Sequence, residues 1–384
     1  MRLRSLLLFS FVFVLLLPAA AHAAPVKSTL EVAGWLPYWR SASSTADVAA
    51  HLNDLTTINP FGYTVTTDGV LFDAMGVADD PWKTLIANAK AQKVRVIPTV
   101  MWSNASAIYN ILSNSTTRMQ LEDDVAALVV REGFDGIDID FENKTSATKP
   151  YFSLFLKGLY QRMGPKWVYC TIESRTPLSS RYDGTPPKDA SLYANDFVQI
   201  NKYCDRVQIM AYDQGTIDLK LNAAANGPYA PVSDPLWVKK VMQVALQTIS
   251  KRKLVLGIPT YGYEYALTPL ASGFGYDILW SFDPAYATQL AAANNIIPFR
   301  NSAGELSFTY IPTTTPTIAN VPTGAAAAGP VVATVQPFNM VTWSDAVSVA
   351  QKIGIARELG IRGISLFKFD GGEDQNIWNV LEGQ

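Results

Sequence analysis

The segment FDGIDIDFEN, residues 134–143, carries four acidic residues among side chains that are mostly apolar and β-forming. Side chains of a strand alternate between two faces, so Asp138, Asp140 and Glu142 share one face and the apolar residues share the other. Asp135 belongs to the apolar face, and we assign it a structural role. Three carboxyl groups spaced about 6.6 Å apart in a low-dielectric interior repel one another, so at least one holds a proton near neutral pH. Such a row suits general acid catalysis, with Glu142 as the acid and the two aspartates sharing charge behind it.

Other uses of closely spaced carboxylates fit this segment less well. A calcium loop of the EF-hand type needs a glycine at its sixth position, where the segment has Phe141 within a β-forming run. The Asp-x-Asp of a nucleotide-sugar transferase could use Asp138 and Asp140, but no glycine-rich phosphate-binding loop accompanies them. Structural carboxylates bound to backbone groups and lysines remain an alternative for one or two of the acids.

The composition limits the remaining chemistry. The formal net charge of −2 over 384 residues gives no reason to expect nucleic acid or an anionic membrane as a partner. Of the two histidines, His22 lies in the N-terminal leader, so a zinc site of several histidines is excluded and a Ser-His-Asp triad would have to use His51. We interpret Cys170 and Cys204 as unpaired thiols at different depths, although an oxidising compartment would permit a disulfide.

The N-terminus has the order of a secretory signal peptide. Two arginines precede an apolar run at 6–17, and small residues end in Ala21-His22-Ala23. We therefore expect a signal peptide at 1–23, a mature chain at 24–384 and secretion to the extracellular space or periplasm. An uncleaved anchor is the alternative, but the apolar run is short for a membrane span of about 20 residues. We expect no stable membrane anchoring and a monomer.

Eight β-rich segments position these residues and alternate with amphipathic helical segments. The predicted strands are 30–39, 56–65, 94–102, 134–142, 167–175, 205–213, 253–262 and 362–370. The predicted helices are 81–93, 117–133, 151–164, 235–251 and 343–360, with Gly133 and Gly360 as stop signals. This count predicts an α/β fold, a (β/α)₈ TIM barrel, with a doubly wound open sheet as the second choice. In the barrel, the apolar face of 134–142 would meet the helices and its carboxylates would point inward.

About a hundred residues separate the seventh and eighth predicted strands. The interval contains the strand-like segments 304–316 and 338–343, with a Thr/Pro-rich and Ala/Gly-rich stretch between them. It predicts a small α+β insertion at about 266–340, mounted on the face where the barrel strands end. A disordered linker between two domains is the alternative.

Five segments of the sequence resemble a known family. DGIDIDFE resembles the D-x-x-D-x-D-x-E signature on the fourth barrel strand of glycoside hydrolase family 18, the chitinases and their relatives, at all four acidic positions. GWLPYW (34–39), NPFGYTV (59–65), MAYD (210–213) and GIPTYG (257–262) are similar to the family's first, second, sixth and seventh strands. The resemblance covers nearly the whole mature chain.

The resemblance implies retaining, substrate-assisted hydrolysis of a β-linked N-acetylhexosamine. Glu142 would protonate the glycosidic oxygen and later activate water. Asp140 would orient and stabilise the substrate's acetamido group, while Asp138 would share a proton with Asp140. Tyr212 would hydrogen-bond the acetamido carbonyl. Because the substrate supplies its own nucleophile, no metal or organic cofactor is required.

Further residues are candidates for contact with a sugar. Aromatic side chains at strand ends could stack on sugar rings or simply pack in the core: Trp35, Phe61, Trp102 and Tyr261. By the resemblance, Met210 and Asp213 would shape the floor of the site, and Phe367 stands where the family usually has a tryptophan. Phenylalanine can stack there with less area.

The sequence leaves several functions open. It predicts a secreted hydrolase of β-linked N-acetylglucosamine polymers or oligomers, namely chitin, chitooligosaccharides or peptidoglycan. A non-catalytic carbohydrate-binding protein of the same fold is the alternative, and the presence of Glu142 favours hydrolysis over it. A nucleotide-sugar transferase is the third possibility.

Overall fold

The structure is a computed structural model, and it describes residues 30–312 and 337–384. The predicted signal peptide at 1–23 lies outside the described residues, as does the Ala/Gly-rich stretch at 323–330.

Strands of the described residues form two sheets. They are β1 (Glu31–Pro37), β2 (Thr57–Val65), β3 (Leu71–Asp73), β4 (Arg95–Val96), β5 (Thr99–Trp102), β6 (Gly136–Phe141), β7 (Trp167–Glu173), β8 (Arg206–Met210), β9 (Leu254–Pro259), β10 (Gly262–Pro269), β11 (Phe274–Phe282), β12 (Phe299–Arg300), β13 (Leu306–Tyr310), β14 (Phe338–Trp343) and β15 (Gly363–Phe367). In the first sheet, β1, β2, β5, β6, β7, β8, β9 and β15 are parallel neighbours, and the pairing of β15 with β1 closes the ring. The predicted (β/α)₈ barrel is thereby confirmed.

Helices fill most of the intervals between the barrel strands and surround the barrel, except for one helix that packs against the second sheet. They are α1 (Ser41–Ala50), α2 (Trp82–Ala91), α3 (Ala105–Ser113), α4 (Ser115–Arg131), α5 (Lys149–Met163), α6 (Leu178–Arg181), α7 (Phe197–Tyr203), α8 (Leu219–Ala224), α9 (Pro235–Leu246), α10 (Pro284–Ala293), α11 (Ala346–Leu359) and α12 (Asn376–Leu381). The five predicted helices correspond to α2, α4, α5, α9 and α11.

Local signals in the sequence explain where several helices begin and end. Asp345 accepts a hydrogen bond from the backbone N–H of Ser348 and forms a capping box at the start of α11. Gly133 and Gly360, the predicted stops, both have a φ of 62°, in the left-handed region where glycine has no Cβ penalty. The chain therefore turns sharply into the next barrel strand after α4 and after α11.

The interval between β9 and β15 contains the second sheet. Its five strands are antiparallel in the order β11-β10-β14-β13-β12, and α10 packs against it. The sheet extends from Gly262 to Trp343, slightly beyond the predicted 266–340. Buried Glu305 attaches this insertion to the barrel, since its carboxylate accepts hydrogen bonds from the backbone N–H groups of Val232 (3.0 Å) and Ser233 (2.7 Å).

The interpretation of the two cysteines as unpaired thiols is wrong. Cys170 and Cys204 form a disulfide, with Cα atoms 5.9 Å apart and both side chains fully buried. Cys170 lies on the outward face of β7, and Cys204 follows the last residue of α7, which packs outside the barrel. The helix returns the chain to the neighbouring strand β8, so the two residues lie at the same depth.

The helices of the described residues were compared with the length and hydropathy of a membrane span. None of the helices at 30–312 and 337–384 combines the length and the apolar character of a membrane span.

Candidate active site

The acidic row lies on the interior face of β6. Ile137, Ile139 and Phe141 are fully buried in the hydrophobic core between barrel and helices. Asp138 and Asp140 are 0% and 3% exposed and face the barrel interior. Glu142 comes directly after the strand, at the carboxyl end of the barrel, and is half-buried. Strand alternation therefore separates packing from chemistry within a single segment.

Asp138 is the deepest carboxylate and is fully hydrogen-bonded. Its Oδ2 accepts from Trp35 Nε1 (3.2 Å) and Thr99 Oγ1 (2.8 Å), and its Oδ1 accepts from Thr171 Oγ1 (2.8 Å). Burial raises the pKa of Asp138, while these hydrogen bonds lower it in part. The donors come from β1, β5 and β7, so three strands of the barrel fix this side chain.

Asp140 and Glu142 lack such support. Asp140 Oδ1 is buried and has no hydrogen-bond partner among the described residues. Burial raises the pKa of Asp140 well above its usual range, and the charges of Glu142 and Asp138 raise it further. Burial also raises the pKa of Glu142, and the charge of Glu173 adds to this shift. These shifts favour a protonated carboxyl at the mouth of the barrel, which is what a general acid requires.

Tyr212 and Asp213 approach the row from the end of β8. Tyr212 is 7% exposed, and burial raises its pKa well above the usual range. The phenol therefore stays protonated and can donate a hydrogen bond. Asp213 accepts hydrogen bonds from the hydroxyls of Tyr261 and Tyr263, the latter at 2.8 Å. Burial raises the pKa of Asp213, and these two bonds lower it in part.

Phe367 is the centre of an aromatic cluster in the mouth of the barrel. Its ring lies parallel to that of Tyr212, with centroids 5.7 Å apart. Trp35, Phe61 and Tyr261 present ring edges to it at 5.9, 6.0 and 6.0 Å. Met210 packs at the border of the same cluster. The cluster places an apolar floor beside the carboxylates.

A cleft of about 410 Å³ opens above this floor, between the barrel and the insertion. Its lining combines aromatic and charged side chains: Trp39, Arg40, Asp213, Tyr261, Tyr263, Ser281, Phe282, Asp283, Phe367 and Lys368. Aromatic faces with a few polar groups are typical of carbohydrate-binding clefts, because sugar rings have both apolar faces and hydroxyl edges.

Two aromatic residues predicted to stack on sugar have other surroundings. Trp102 is 3% exposed and contacts Phe141 in the outer core, because Thr99 faces the interior and alternation sends Trp102 outward. The structure does not place Trp102 at the cleft. Trp35 is 1% exposed and lies beneath Phe367, where its indole N–H holds Asp138. Its position is that of a support for the carboxylate row.

Other predicted residues lie away from the cleft. Asp135 accepts a hydrogen bond from the backbone N–H of Val96 (2.8 Å), in keeping with its structural role. His51 stacks on Trp378 with ring centroids 4.3 Å apart, remote from the carboxylates. No group of three or more metal-ligating side chains is found within the described ranges.

Several residues at the site were not predicted from the sequence. Trp39 is 50% exposed at the cleft and presents its edge to Phe61. Lys368 Nζ binds Asp283 of the insertion at 2.7 Å. Lys144, two residues after Glu142, is buried beside Glu173. Trp39, Lys368 and Lys144 all make contacts at the site with residues that are distant in sequence. For Lys144, the one available signal in the sequence was its position two residues after Glu142.

The sequence is similar to known glycosyl hydrolases over nearly its whole described length. The sequence model described as "Glycosyl hydrolases family 18" matches residues 34–372. The uncharacterized glycosylase YvbX of Bacillus subtilis (strain 168) is 23% identical over 348 residues, covering 88% of this chain and 89% of that protein.

Solved structures have the same fold. The Bacillus cereus spore cortex-lytic enzyme SleL superposes with a TM-score of 0.69 at 20% identity, over 93% of this chain and 74% of that chain. A chitinase from Chromobacterium violaceum ATCC 12472 superposes with a TM-score of 0.69 at 18% identity, over 92% of this chain and 98% of that chain.

Proposed function

Because the chain belongs to the glycosyl hydrolases of family 18, we propose that Glu142 is its catalytic acid and that it cleaves β-linked N-acetylglucosamine glycans. In this mechanism Glu142 protonates the glycosidic oxygen while the acetamido carbonyl of the substrate attacks the anomeric carbon. Glu142 then takes a proton from the water that opens the cyclic intermediate, so the configuration is retained. The reactants are groups of this chain, the substrate and one water molecule.

The buried, unpartnered Oδ1 of Asp140 is the observation that carries the proposal. A buried acceptor without a hydrogen bond is unfavourable by about 1–3 kcal/mol, so its persistence suggests a partner in the bound state. The acetamido N–H of the substrate is a donor of the right kind, and its bond to Asp140 would direct the carbonyl toward the anomeric carbon. Tyr212, which keeps its proton, can donate to that carbonyl.

The proposed division of roles uses both ends of the row. Asp140 needs a negative charge when positive charge develops on the acetamido group, and Asp138 can take up the proton that Asp140 releases when it ionises. Glu142 is less buried than either aspartate and follows the last residue of β6 at the carboxyl end of the barrel, where a glycosidic oxygen can approach it. Phe367 and Phe61 supply the apolar surface beneath the sugar.

The substrate class is proposed at the level of N-acetylglucosamine-containing glycans. The names of the relatives point to two sources, because one structure is a spore cortex-lytic enzyme and another is a chitinase. Chitin, chitooligosaccharides and peptidoglycan all present the acetamido group that the mechanism needs. We further propose that the protein acts outside the cytoplasm, after removal of residues 1–23, and as a monomer.

The test is hydrolysis of N-acetylglucosamine oligomers and of purified peptidoglycan by wild type and Glu142→Gln. Loss of a general acid is expected to lower kcat by about 10²–10⁴-fold. Glu132→Gln, the same change at the end of α4 and outside the cleft, is the matched control and should keep wild-type turnover.

Two results would contradict the proposal. Equal turnover by wild type and Glu142→Gln would show that Glu142 is not the catalytic acid. Oligosaccharide binding by wild type without turnover of either substrate would favour the non-catalytic carbohydrate-binding protein.

A further inference from the structure

Lys144 has an unusual position for a lysine. Its side chain is 0% exposed, and Nζ has no hydrogen-bond partner among the described residues. The ammonium lies 4.7 Å above the ring of Phe152 and 3.8 Å from Oε2 of Glu173. Lysine is almost never fully buried unless it is paired, because desolvation of its charge is costly.

The local backbone directs Lys144 inward. Asn143, between Glu142 and Lys144, has a φ of 56°, in the left-handed region that asparagine tolerates better than most residues. Its backbone N–H donates to Glu173 Oε1 (3.2 Å), and its Nδ2 donates to the carbonyl of Ser103 (3.5 Å). These contacts hold the turn immediately after the acid, and the next side chain, Lys144, is buried between Phe152 of α5 and Glu173 of β7.

We propose that Lys144 is a positioning residue for the catalytic acid, and that its buried ammonium sets the pH range over which Glu142 and Asp140 are correctly protonated. The inference rests on the proposed function of Glu142. It assigns to Lys144 an electrostatic role that acts through its neighbours, without contact with the substrate.

The charges around the site support this role. The groups that face Lys144 are all acidic: Asp140 and Glu142 from β6 and its end, and Glu173 from β7. Asp213, at the end of β8, adds a fourth acidic group that acts on Glu142. Burial lowers the pKa of Lys144, and the three facing carboxylates raise it in part. Lys144 in turn lowers the pKa values of Asp140 and Glu142 against burial.

Glu173 holds Lys144 in place. Its Oε2 accepts from Asn195 Nδ2 at 2.6 Å, while its Oε1 accepts from Asn143, so the carboxylate cannot rotate away. The lysine is therefore fixed between a structural carboxylate and two reactive ones. A cation held in this way favours ionisation of Asp140 and keeps Glu142 from binding its proton too tightly.

The experiment compares pH profiles of kcat/KM for wild type, Lys144→Met and Lys144→Arg on an N-acetylglucosamine oligomer. Removing an adjacent opposite charge raises carboxyl pKa values, so both limbs of the Lys144→Met profile should move to higher pH by about 1 unit. Lys144→Arg keeps the charge and should keep the wild-type midpoints, even if kcat falls. Lys149→Met is the matched control, because Lys149 lies on the surface, where its Nζ is 3.8 Å from Oδ2 of Asp196.

The outcomes separate an electrostatic role from a structural one. If Lys144→Met and Lys144→Arg lose activity equally and neither profile moves, the inference is wrong. A shift of the Lys144→Met profile to lower pH would also overturn it. Lys144→Gln is a second neutral variant, to be used if the methionine variant does not fold. An inactive Glu142→Gln combined with an unmoved Lys144→Met profile would leave the proposed function intact and remove only this inference.

Discussion

The two ends of the barrel shift the pKa values of buried carboxyl groups in opposite directions. At the amino end, Glu31 is 7% exposed and faces three arginines. Arg206 Nη2 and Arg362 Nη2 each lie 2.8 Å from Glu31 Oε1, and Arg95 Nη2 lies 3.2 Å from the same oxygen. Burial raises the pKa of Glu31, but the arginines outweigh it and lower the pKa from 4.5 to about 2.

At the carboxyl end the ratio of charges is reversed. The ammonium of Lys144 faces Asp140, Glu142 and Glu173, and the pKa values of Asp138, Asp140 and Glu142 are all raised, chiefly by burial. Excess cation at one end makes a carboxylate a stable structural anion. At the other end, burial raises the pKa values of Asp140 and Glu142 and neighbouring carboxylates raise them further, which favours the protonated form that a catalytic acid requires.

The largest effect that would test this comparison is on activity. Asp140→Asn should lower kcat by about 10²–10³-fold, because a neutral amide cannot stabilise the positive charge that develops on the acetamido group. The same change should leave the melting temperature unchanged or raise it, since it removes a buried carboxyl whose ionisation is unfavourable. A large loss of stability with normal kcat would contradict the functional reading of this end.

A smaller effect, on stability, is expected at the opposite end. Glu31→Gln leaves three arginines without their anion and should lower the free energy of unfolding by about 3 kcal/mol. This is toward the low end for a broken buried pair, because Arg362 is 44% exposed. Urea denaturation measures the change, and kcat of the folded variant should equal that of wild type. A loss of kcat without destabilisation would show that the two ends are not separate.

The smallest expected effect is a pH dependence of that difference. Glu31 has a folded-state pKa of about 2, below its ordinary 4.5, so its stabilising contribution is complete above pH 4.5 and is lost as pH falls toward 2. The gap in free energy of unfolding between wild type and Glu31→Gln should therefore narrow over this window. Urea denaturation at a series of pH values measures the gap, and a constant gap would mean that the arginines do not hold an ionised Glu31.

Much of the fold could be predicted because its signals are local. Alternation within 134–142 separated the core face from the interior face, and the glycines at 133 and 360 marked the ends of two helices. Several shorter helices were missed, among them α3 and α7. The side-chain oxygen of Asn104 caps α3 by accepting a single hydrogen bond from the N–H of Ala107, a weak signal in sequence. Both helices pack mainly against neighbouring helices, α3 against α4 and α5, and α7 against α5.

The site could be predicted only where its residues belong to the motif itself. Trp102 was expected at the cleft because it ends a strand, but its face depends on where β5 starts, which alternation alone does not specify. The disulfide between Cys170 and Cys204 depends on the return of α7 to the neighbouring strand. Trp39 and Lys368 lie at the cleft through contacts with Phe61 and Asp283, which are distant in sequence.

The sequence alone determined the barrel and the row of acids, because both depend on periodicity and on the order of residues along one strand. Tertiary structure decided the protonation of that row, since pKa values depend on burial and on charges that other strands bring near. The donors to Asp138 come from β1, β5 and β7, and the ammonium of Lys144 is held by Glu173 of β7. Only closure of the barrel places these groups within a few ångströms of one another.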